Sequence, residues 1–118
     1  MINWTSVAAG LLALAVILGA FGAHGLRDRL DAYSMGVYEK AVFYHFVHAM
    51  GMLVVSLMPR TSGLVCWLLL VGIVLFSGSL YVLAGTGIRI LGAVTPFGGV
   101  AFIAAWLLLA YSAVREAR

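Results

Sequence analysis

Long apolar runs alternate with short polar segments along this chain, and four of the runs are long enough to cross a membrane. They cover residues 4–23, 41–58, 64–84 and 96–114. A helix needs about 20 apolar residues to cross the hydrocarbon core of a bilayer. Because unpaired backbone groups are costly in lipid, only helices or closed barrels span it, and continuous rather than alternating runs favour helices. The pattern predicts one all-α domain over 1–118, an integral membrane four-helix bundle with up-down-up-down topology.

The segments between the runs carry signals that end or start helices. Residues 26–40 are polar enough to leave the membrane, and we expect them along the interface. Pro59 closes the second run, because proline cannot continue the helical hydrogen-bond ladder. Ser62 is a candidate N-cap of the third helix. Thr95 and Pro96 predict the start of the fourth helix, since threonine caps helices and proline at the first position lacks only an unused donor.

The first run has a competing interpretation as a cleaved signal peptide, because small residues near position 23 resemble a cleavage site. A signal peptide needs a positively charged segment before its apolar run, and no Lys or Arg precedes Trp4. We therefore expect this run to remain as a spanning helix. Ala15, Gly19 and Ala23 are spaced four apart on one face, a pattern that lets membrane helices approach closely.

The amino-acid composition mainly serves to exclude classes of protein and of partner. The 118 residues are 64% hydrophobic and 9% charged, with a mean hydropathy of +1.13. Soluble domains carry about 25% charged residues to cover their surface, so a water-soluble fold is excluded. A net charge of +3 that is scattered along the chain argues against nucleic acid as a partner. Cys66 is the only cysteine, so no internal disulfide forms.

We expect a multi-pass protein of the cell (inner) membrane, in contact with the lipid bilayer, that forms a homo-oligomer or joins a larger membrane complex. Four spans put both termini on one side, where three cations oppose four on the other. These counts do not decide orientation by the positive-inside rule. Because the cations at Arg27, Arg29 and Lys40 each lie next to an acidic residue, we favour termini in the cytoplasm.

The second run contains most of the residues that could bind a ligand or transfer a proton. Tyr38, Ala41, His45, His48 and Met52 recur at alternating three- and four-residue steps, which places them on one helix face. Lys40, Tyr44 and His48 form a parallel row. Ionisable side chains within a membrane helix face the bundle interior or a partner.

Three interpretations of these histidines remain open. As a metal site, His45 and His48 bind one ion with His24 from the preceding loop, and Tyr44, Tyr81 or Glu39 adds oxygen. As a proton or solute pathway, the same imidazoles titrate near neutral pH. As structural groups, they hydrogen-bond Ser77, Ser79 or Thr95 of neighbouring helices. No cofactor is identified by the pattern.

Two further features suggest either packing or the lining of a solute path. One is the patch of Ser77, Gly78 and Ser79 in the third run, with Tyr81 close by. The other is the stretch that runs from Thr95 through Pro96 to Gly98 and Gly99. If a helix started before Thr95, this stretch would be a break inside the membrane, where transporters place substrate sites. The 19 residues from Pro96 to Val114 suffice to span, so packing is the simpler interpretation.

Four motifs in this order resemble the family called domain of unknown function 423. They are the stretches LGAFGAHGL at 18–26, YEKAVFYHFVHAMGML at 38–53, LFSGSLY at 75–81 and TPFGG at 95–99. The resemblance covers almost the whole chain and implies a small four-helix inner-membrane protein of bacteria, with a related transmembrane protein in animals. It supplies no catalytic residue and places all three histidines inside motifs.

Nothing in the sequence supports catalysis. It contains no nucleophile triad, no paired catalytic carboxylates and no phosphate-binding or dinucleotide motif. The sequence thus predicts an integral membrane protein with a structural or accessory role. The alternative is a histidine-based binder or conductor of a metal ion, a proton or a small solute.

Overall fold

The computed structural model describes residues 1–60 and 63–116 as four long helices joined by short connections. Their bounds are Trp4–Phe21 for α1, Ala32–Ser56 for α2, Gly63–Thr86 for α3 and Thr95–Glu116 for α4. A π-helical turn, Gly22–Leu26, extends α1, and a 3-10 turn, Arg89–Ala93, precedes α4. The described residues contain no strand. The predicted all-α, four-helix fold is confirmed.

Side-chain caps set the starts of the first two helices. The Asn3 side chain accepts a 3.0 Å hydrogen bond from the Ser6 backbone N–H, and Asp31 accepts one of 2.7 Å from Ser34. Each cap satisfies one of the backbone donors that a helix start leaves unpaired. The Asp31 cap makes α2 begin at Ala32, nine residues before the apolar run starts at 41. Polar residues that we expected along the interface are therefore the first turns of α2.

Two other helix ends follow local chemistry. Gly87 ends α3 in the left-handed conformation, with φ at 73°, and its N–H donates to the Leu83 carbonyl over 2.7 Å. Only glycine adopts this conformation without steric penalty. The fourth helix begins at Thr95, one residue before the first helical position predicted at Pro96, and the Thr95 hydroxyl bonds to Ser79 and to the Leu91 carbonyl. The predicted Ser62 cap lies outside the described residues.

The third helix is interrupted by a π-helical segment, Ile73–Gly78, in the middle of its length. In a π-helix each hydrogen bond spans five residues instead of four, so this segment changes the direction of the side chains that follow it. One consequence is that Ser77 is fully buried and donates a 2.8 Å hydrogen bond to the Ala41 carbonyl of α2. No sequence signal predicted this segment.

Contacts near both ends of α1 and α2 indicate that these two helices run antiparallel. The hydroxyls of Thr5 and Ser56 are 3.0 Å apart where α1 starts and α2 ends, and the Tyr38 hydroxyl donates to the Leu18 carbonyl near the other end. In α3 and α4, Gly72 lies against Phe102 and Phe76 lies against Gly98, an order that indicates the same arrangement. The second helix packs against both α1 and α3.

The buried side chains form one large cluster and one small one. The large cluster is apolar and draws on all four helices; its members are Ala8, Ala49, Met52, Val55, Val65, Cys66, Leu69, Ile73, Phe102 and Ala105. The smaller cluster contains Ala41, Leu80 and Leu83. Cys66 is a buried free thiol.

Small residues on α1 let it lie close to α2. Ala15 is fully buried, and a Cβ added to Gly19 would sit 3.5 Å from the Val42 side chain. Gly22 continues this face, and a Cβ there would overlap the Tyr38 ring. Ala23 is exposed. The predicted small-residue face therefore serves a contact within the chain, from Ala15 to Gly22.

The outer surface is apolar, as lipid contact requires. Exposed side chains on the four helices include Val16, Ile17, Phe43, Val54, Val74, Val82, Val100, Ile103 and Leu107. In water such a surface would cause aggregation, whereas lipid chains are equally apolar. Among the described residues, three helices are long and apolar enough to cross a membrane: Trp4–Leu26, Gly63–Thr86 and Arg89–Glu116.

The second helix has 25 residues but is less apolar than the other three. Its charged pair Glu39 and Lys40 and its two histidines lower its hydropathy. Its crossing of the membrane therefore stays a prediction. Two features support it: α2 packs between α1 and α3, and both of its histidines are buried in the bundle.

A pair of adjacent glycines tests the contact between α3 and α4. A Cβ added at Gly98 would lie 2.3 Å from the Phe76 backbone nitrogen, whereas one at Gly99 would meet nothing closer than 3.9 Å. We expect Gly98→Ala to lower the free energy of unfolding by about 1–3 kcal/mol through overpacking. Thermal unfolding in detergent, with Gly99→Ala as the matched control, measures this. Equal stability of the two variants would contradict the contact.

The Asp31 cap predicts a pH dependence of stability. Hydrogen bonds from the Ser34 backbone N–H and hydroxyl hold the pKa of Asp31 below its ordinary value. A folded-state pKa below the unfolded one contributes stability above the unfolded value, and this is lost as pH falls through the folded value. We expect Asp31→Ala to reduce the loss of thermal stability between about pH 5 and pH 2. Asp28→Ala, which removes a carboxylate that caps no helix, should leave that loss unchanged.

Candidate functional site

The predicted face of α2 is turned inward along its whole length. Tyr38, Ala41, His45, His48 and Met52 are all buried, with His45 only 1% exposed and His48 6% exposed. Alternating three- and four-residue steps keep them on one stripe of the helix. This stripe points at α1 and α3 near His45, and at α4 near His48.

The His45 ring connects three helices. Its Nδ1 is 2.8 Å from the Tyr81 hydroxyl of α3. The ring also interacts with the Leu11 backbone of α1. Its Nε2 is fully buried and has no hydrogen-bond partner among the described residues.

Tyr38 extends the same network towards the loop end of α1. Its ring packs edge-on against the Tyr81 ring, with centroids 5.4 Å apart. Its hydroxyl donates to the Leu18 carbonyl, so both tyrosine hydroxyls are satisfied within the bundle. Tyr38, Tyr81 and His45 therefore fix the relative positions of α1, α2 and α3.

His48 lies in a different environment, among aromatic rings. Its Nδ1–H donates to the Tyr44 carbonyl one turn earlier in α2, over 2.8 Å. The ring stacks on Phe102 of α4, with centroids 3.5 Å apart and planes 12° from parallel. The Tyr44 ring lies parallel to it on the same helix at 5.9 Å. Phe76 and Trp106 complete the aromatic cluster around it.

The three histidines do not meet in one place. His24 is exposed in the π turn after α1, and Glu39 is exposed on α2. The Nδ1 atoms of His45 and His48 have separate partners. No group of three histidine, cysteine or acidic side chains suited to a metal ion occurs in the part of the chain that the structure describes. Metal binding by these histidines stays a prediction.

The serine patch of α3 links that helix to both of its neighbours. Ser77 donates to the Ala41 carbonyl of α2. Ser79 is 2.6 Å from the Thr95 hydroxyl of α4 and also donates to its own helix at the Phe76 carbonyl. The serines thus bond neighbouring helices, but their partners are not the histidines. Gly78 is partly buried and has no atom within 4 Å of an added Cβ.

The stretch from Thr95 to Gly99 forms the first turn of α4 without a break. Pro96 is exposed at its start, where its missing N–H leaves no partner unsatisfied. Gly98 is buried against the Phe76 backbone, and Gly99 lies beside the Phe76 ring. The geometry favours packing over a solute path for this stretch.

Three openings in the described surface lie at the ends of the bundle. One of about 610 Å³ is lined by residues 1–5 with Ser56 and Gly63, and one of about 540 Å³ lies between Arg60 and the end of α4. A third, of about 210 Å³, lies between α1 and α2 near their connecting loop. Neither His45 nor His48 lines any of the three.

Sequence reasoning missed the aromatic partners of His48. Phe102 and Trp106 lie four residues apart on α4, in register with Gly98, so helical spacing places all three on one face. That signal was present in the sequence. The contact of His45 with the Leu11 backbone had no signal, because every residue type carries the same backbone group.

Comparison with known proteins places these residues in a family. A family model described as "Protein of unknown function (DUF423)" matches residues 18–99, a range that includes all three histidines and the serine patch. The chain belongs to the DUF423 family. The family match also covers Gly98 and the Phe76 backbone that it contacts.

Curated relatives match the sequence of this chain along most of their length. The UPF0382 membrane protein of Staphylococcus saprophyticus is 52% identical over 100 residues, covering 81% of this chain and 83% of the relative. The UPF0382 membrane protein YwdK of Bacillus subtilis is 50% identical over 108 residues, covering 86% and 88%. No solved structure matches. These DUF423 relatives are membrane proteins by name, and their names specify no activity.

Removing one oxygen atom tests the link between α2 and α3. Tyr81→Phe keeps the ring and deletes the hydroxyl that pairs with His45, so we expect unfolding to become easier by about 0.6 kcal/mol, the average for membrane hydrogen bonds. A double-mutant cycle with His45→Leu should show coupling of similar size. Tyr111→Phe, at an exposed position of α4, is the control. Additive single effects would mean that the two side chains are not coupled.

Proposed function

We propose that this DUF423 protein is a structural or accessory membrane protein without catalytic activity. The observation that carries this proposal is that polar side chains between its helices bond to other groups of the same bundle. His45 bonds to Tyr81, Ser77 to the Ala41 carbonyl, and Ser79 to Thr95. Such bonds fix which helices meet and in what register, and they present no reactive group to a substrate.

The position of the histidines also supports a structural role. His48 stacks on the Phe102 ring, and its Nδ1 is used within its own helix. The three surface openings lie at the ends of the bundle, away from both histidines. A substrate in one of these openings would not reach either imidazole.

We propose the cytoplasmic (inner) membrane as its location, with several spans and both termini in the cytoplasm. The bacterial relatives are named membrane proteins, which supports a bacterial membrane. We further propose that the protein forms a homo-oligomer or joins a larger membrane complex. Exposed glycines support this, since a Cβ at Gly10, Gly36 or Gly85 would meet nothing within 4 Å, leaving room for a partner helix.

A second candidate function is binding or conduction of a proton, an ion or a small solute at His45. The observation that favours it is the buried Nε2, which has no hydrogen-bond partner of good geometry among the described residues. Buried polar atoms are nearly always paired, and exceptions often mark functional positions. Metal is the weaker form of this candidate, because His45 and His48 engage separate partners.

Metal analysis and an absorbance spectrum of the detergent-purified protein distinguish the two candidates. For the structural role we expect no stoichiometric metal and no haem band. His45→Ala/His48→Ala should then lower stability by about 2–5 kcal/mol, because it removes two buried rings and leaves cavities. His24→Ala removes an exposed histidine and should leave stability unchanged.

A stoichiometric metal or chromophore in the wild-type protein, absent from the double variant, would overturn the structural proposal and select the binder. The wild-type measurement decides this point even if the double variant does not fold. A double variant as stable as the wild type would also contradict the structural role.

A further inference from the structure

The smallest of the three openings has the most specific lining. It lies between the loop end of α1 and the first turns of α2 and encloses about 210 Å³. Its walls are Gly19, Gly22, Ala23, Arg27, Met35, Tyr38, Glu39 and Val42. The lining is thus small or apolar apart from the Tyr38 side chain, one cation and one carboxylate.

The two charges of this opening are available for a ligand. Arg27 and Glu39 are both exposed, and neither has an ion-pair or hydrogen-bond partner among the described residues. The Tyr38 hydroxyl is already used, because it donates to the Leu18 carbonyl. A ligand that fits here therefore meets one free positive group and one free negative group.

Glycines form part of the α1 wall of this opening. Gly19 lies close to the Val42 side chain, and Gly22 lies directly against the Tyr38 ring, so α1 and α2 are in close contact beside the opening. The π turn Gly22–Leu26 then carries the chain to Arg27 at the rim. On the other wall, Met35, Glu39 and Val42 share one face of α2.

The level of the opening in the membrane limits what can enter it. Arg27 directly follows the apolar segment Trp4–Leu26, so it lies where hydrocarbon gives way to headgroups. The molecules at that level are phospholipids. Basic pockets between membrane helices are known to hold lipid headgroups.

We propose that this opening binds the headgroup of a phospholipid that carries phosphoethanolamine. The phosphate pairs with the Arg27 guanidinium, and the primary ammonium donates hydrogen bonds to the Glu39 carboxylate. This site is separate from the histidines and goes beyond a structural role for them. Its 210 Å³ equals about seven water molecules' share of liquid volume, which suits a headgroup and not a whole lipid.

The acyl chains then lie outside the opening, along the junction of α1 and α2. Val42 and Phe46 are half-buried there, one helical turn apart on the same face of α2. Chemistry separates this headgroup from its common alternatives. Choline carries no N–H to donate to Glu39, and a glycerol headgroup is anionic overall and offers the carboxylate no cation.

Native mass spectrometry of the full chain, released from detergent with equal amounts of phosphatidylethanolamine, phosphatidylcholine and phosphatidylglycerol, tests this proposal. We expect the wild type to retain phosphatidylethanolamine roughly threefold to tenfold over either competitor, as suits partly exposed charged hydrogen bonds. Equal retention of all three lipids, or preference for phosphatidylglycerol, would overturn it without the use of any variant.

Matched variants then assign the two contacts. Glu39→Gln should remove the preference for ethanolamine over choline, and Arg27→Gln should weaken retention of every phospholipid. Lys40→Gln and Arg29→Gln change neighbouring exposed charges outside the opening, and both should retain the wild-type preference. If the control variants reduce the preference as much as the lining variants do, the binding is general surface attraction and the proposed site is wrong.

Discussion

The bundle depends on one constraint: a polar atom surrounded by lipid and apolar side chains must find its partner inside the protein. The second helix is the helix on which this constraint acts most strongly, because it carries His45, His48 and Tyr38 on its buried face. Each of these side chains reaches another group of the bundle, and two of them reach a different helix. The position of α2 between α1 and α3 follows from these partners, since exposure to lipid would leave the polar atoms unpaired.

Contacts between glycines and aromatic rings then set how close the helices lie. Gly72 of α3 lies against Phe102, and Gly51 of α2 lies against Trp106. Both rings belong to α4, so the fourth helix is held by two rings seated on two different helices. Helices in lipid gain little from burying apolar surface, so close van der Waals contact of this kind must supply much of their association. A side chain at either glycine would push α4 away and loosen the stack of Phe102 on His48.

The sequence predicted features that rest on periodicity and apolar length. These include the all-α fold, the buried face of α2 and the start of α4 near Thr95, because each depends on residue types at fixed spacing. It did not predict the π segment of α3, because no residue type or spacing in Ile73–Gly78 signals it, although Ser77 within it bonds to the Ala41 carbonyl of α2. The sequence placed His45 and His48 on one face correctly, but three-residue spacing separates their directions enough for different partners. That difference follows from neighbouring helices, which periodicity within one helix does not specify.

The unpaired Nε2 of His45 shows why a structural role and a ligand-binding role of this residue conflict. This atom is fully buried, and the ring also interacts with the Leu11 backbone of α1, so a ligand that approaches it between α1 and α2 must separate these two helices. Separation breaks the bond from Tyr38 to the Leu18 carbonyl and the contact of Thr5 with Ser56. A protein that is stable because these contacts persist cannot open this atom to a ligand without losing part of that stability. If a ligand reaches His45 by displacing α1, amide exchange in α1 should be faster than in α3.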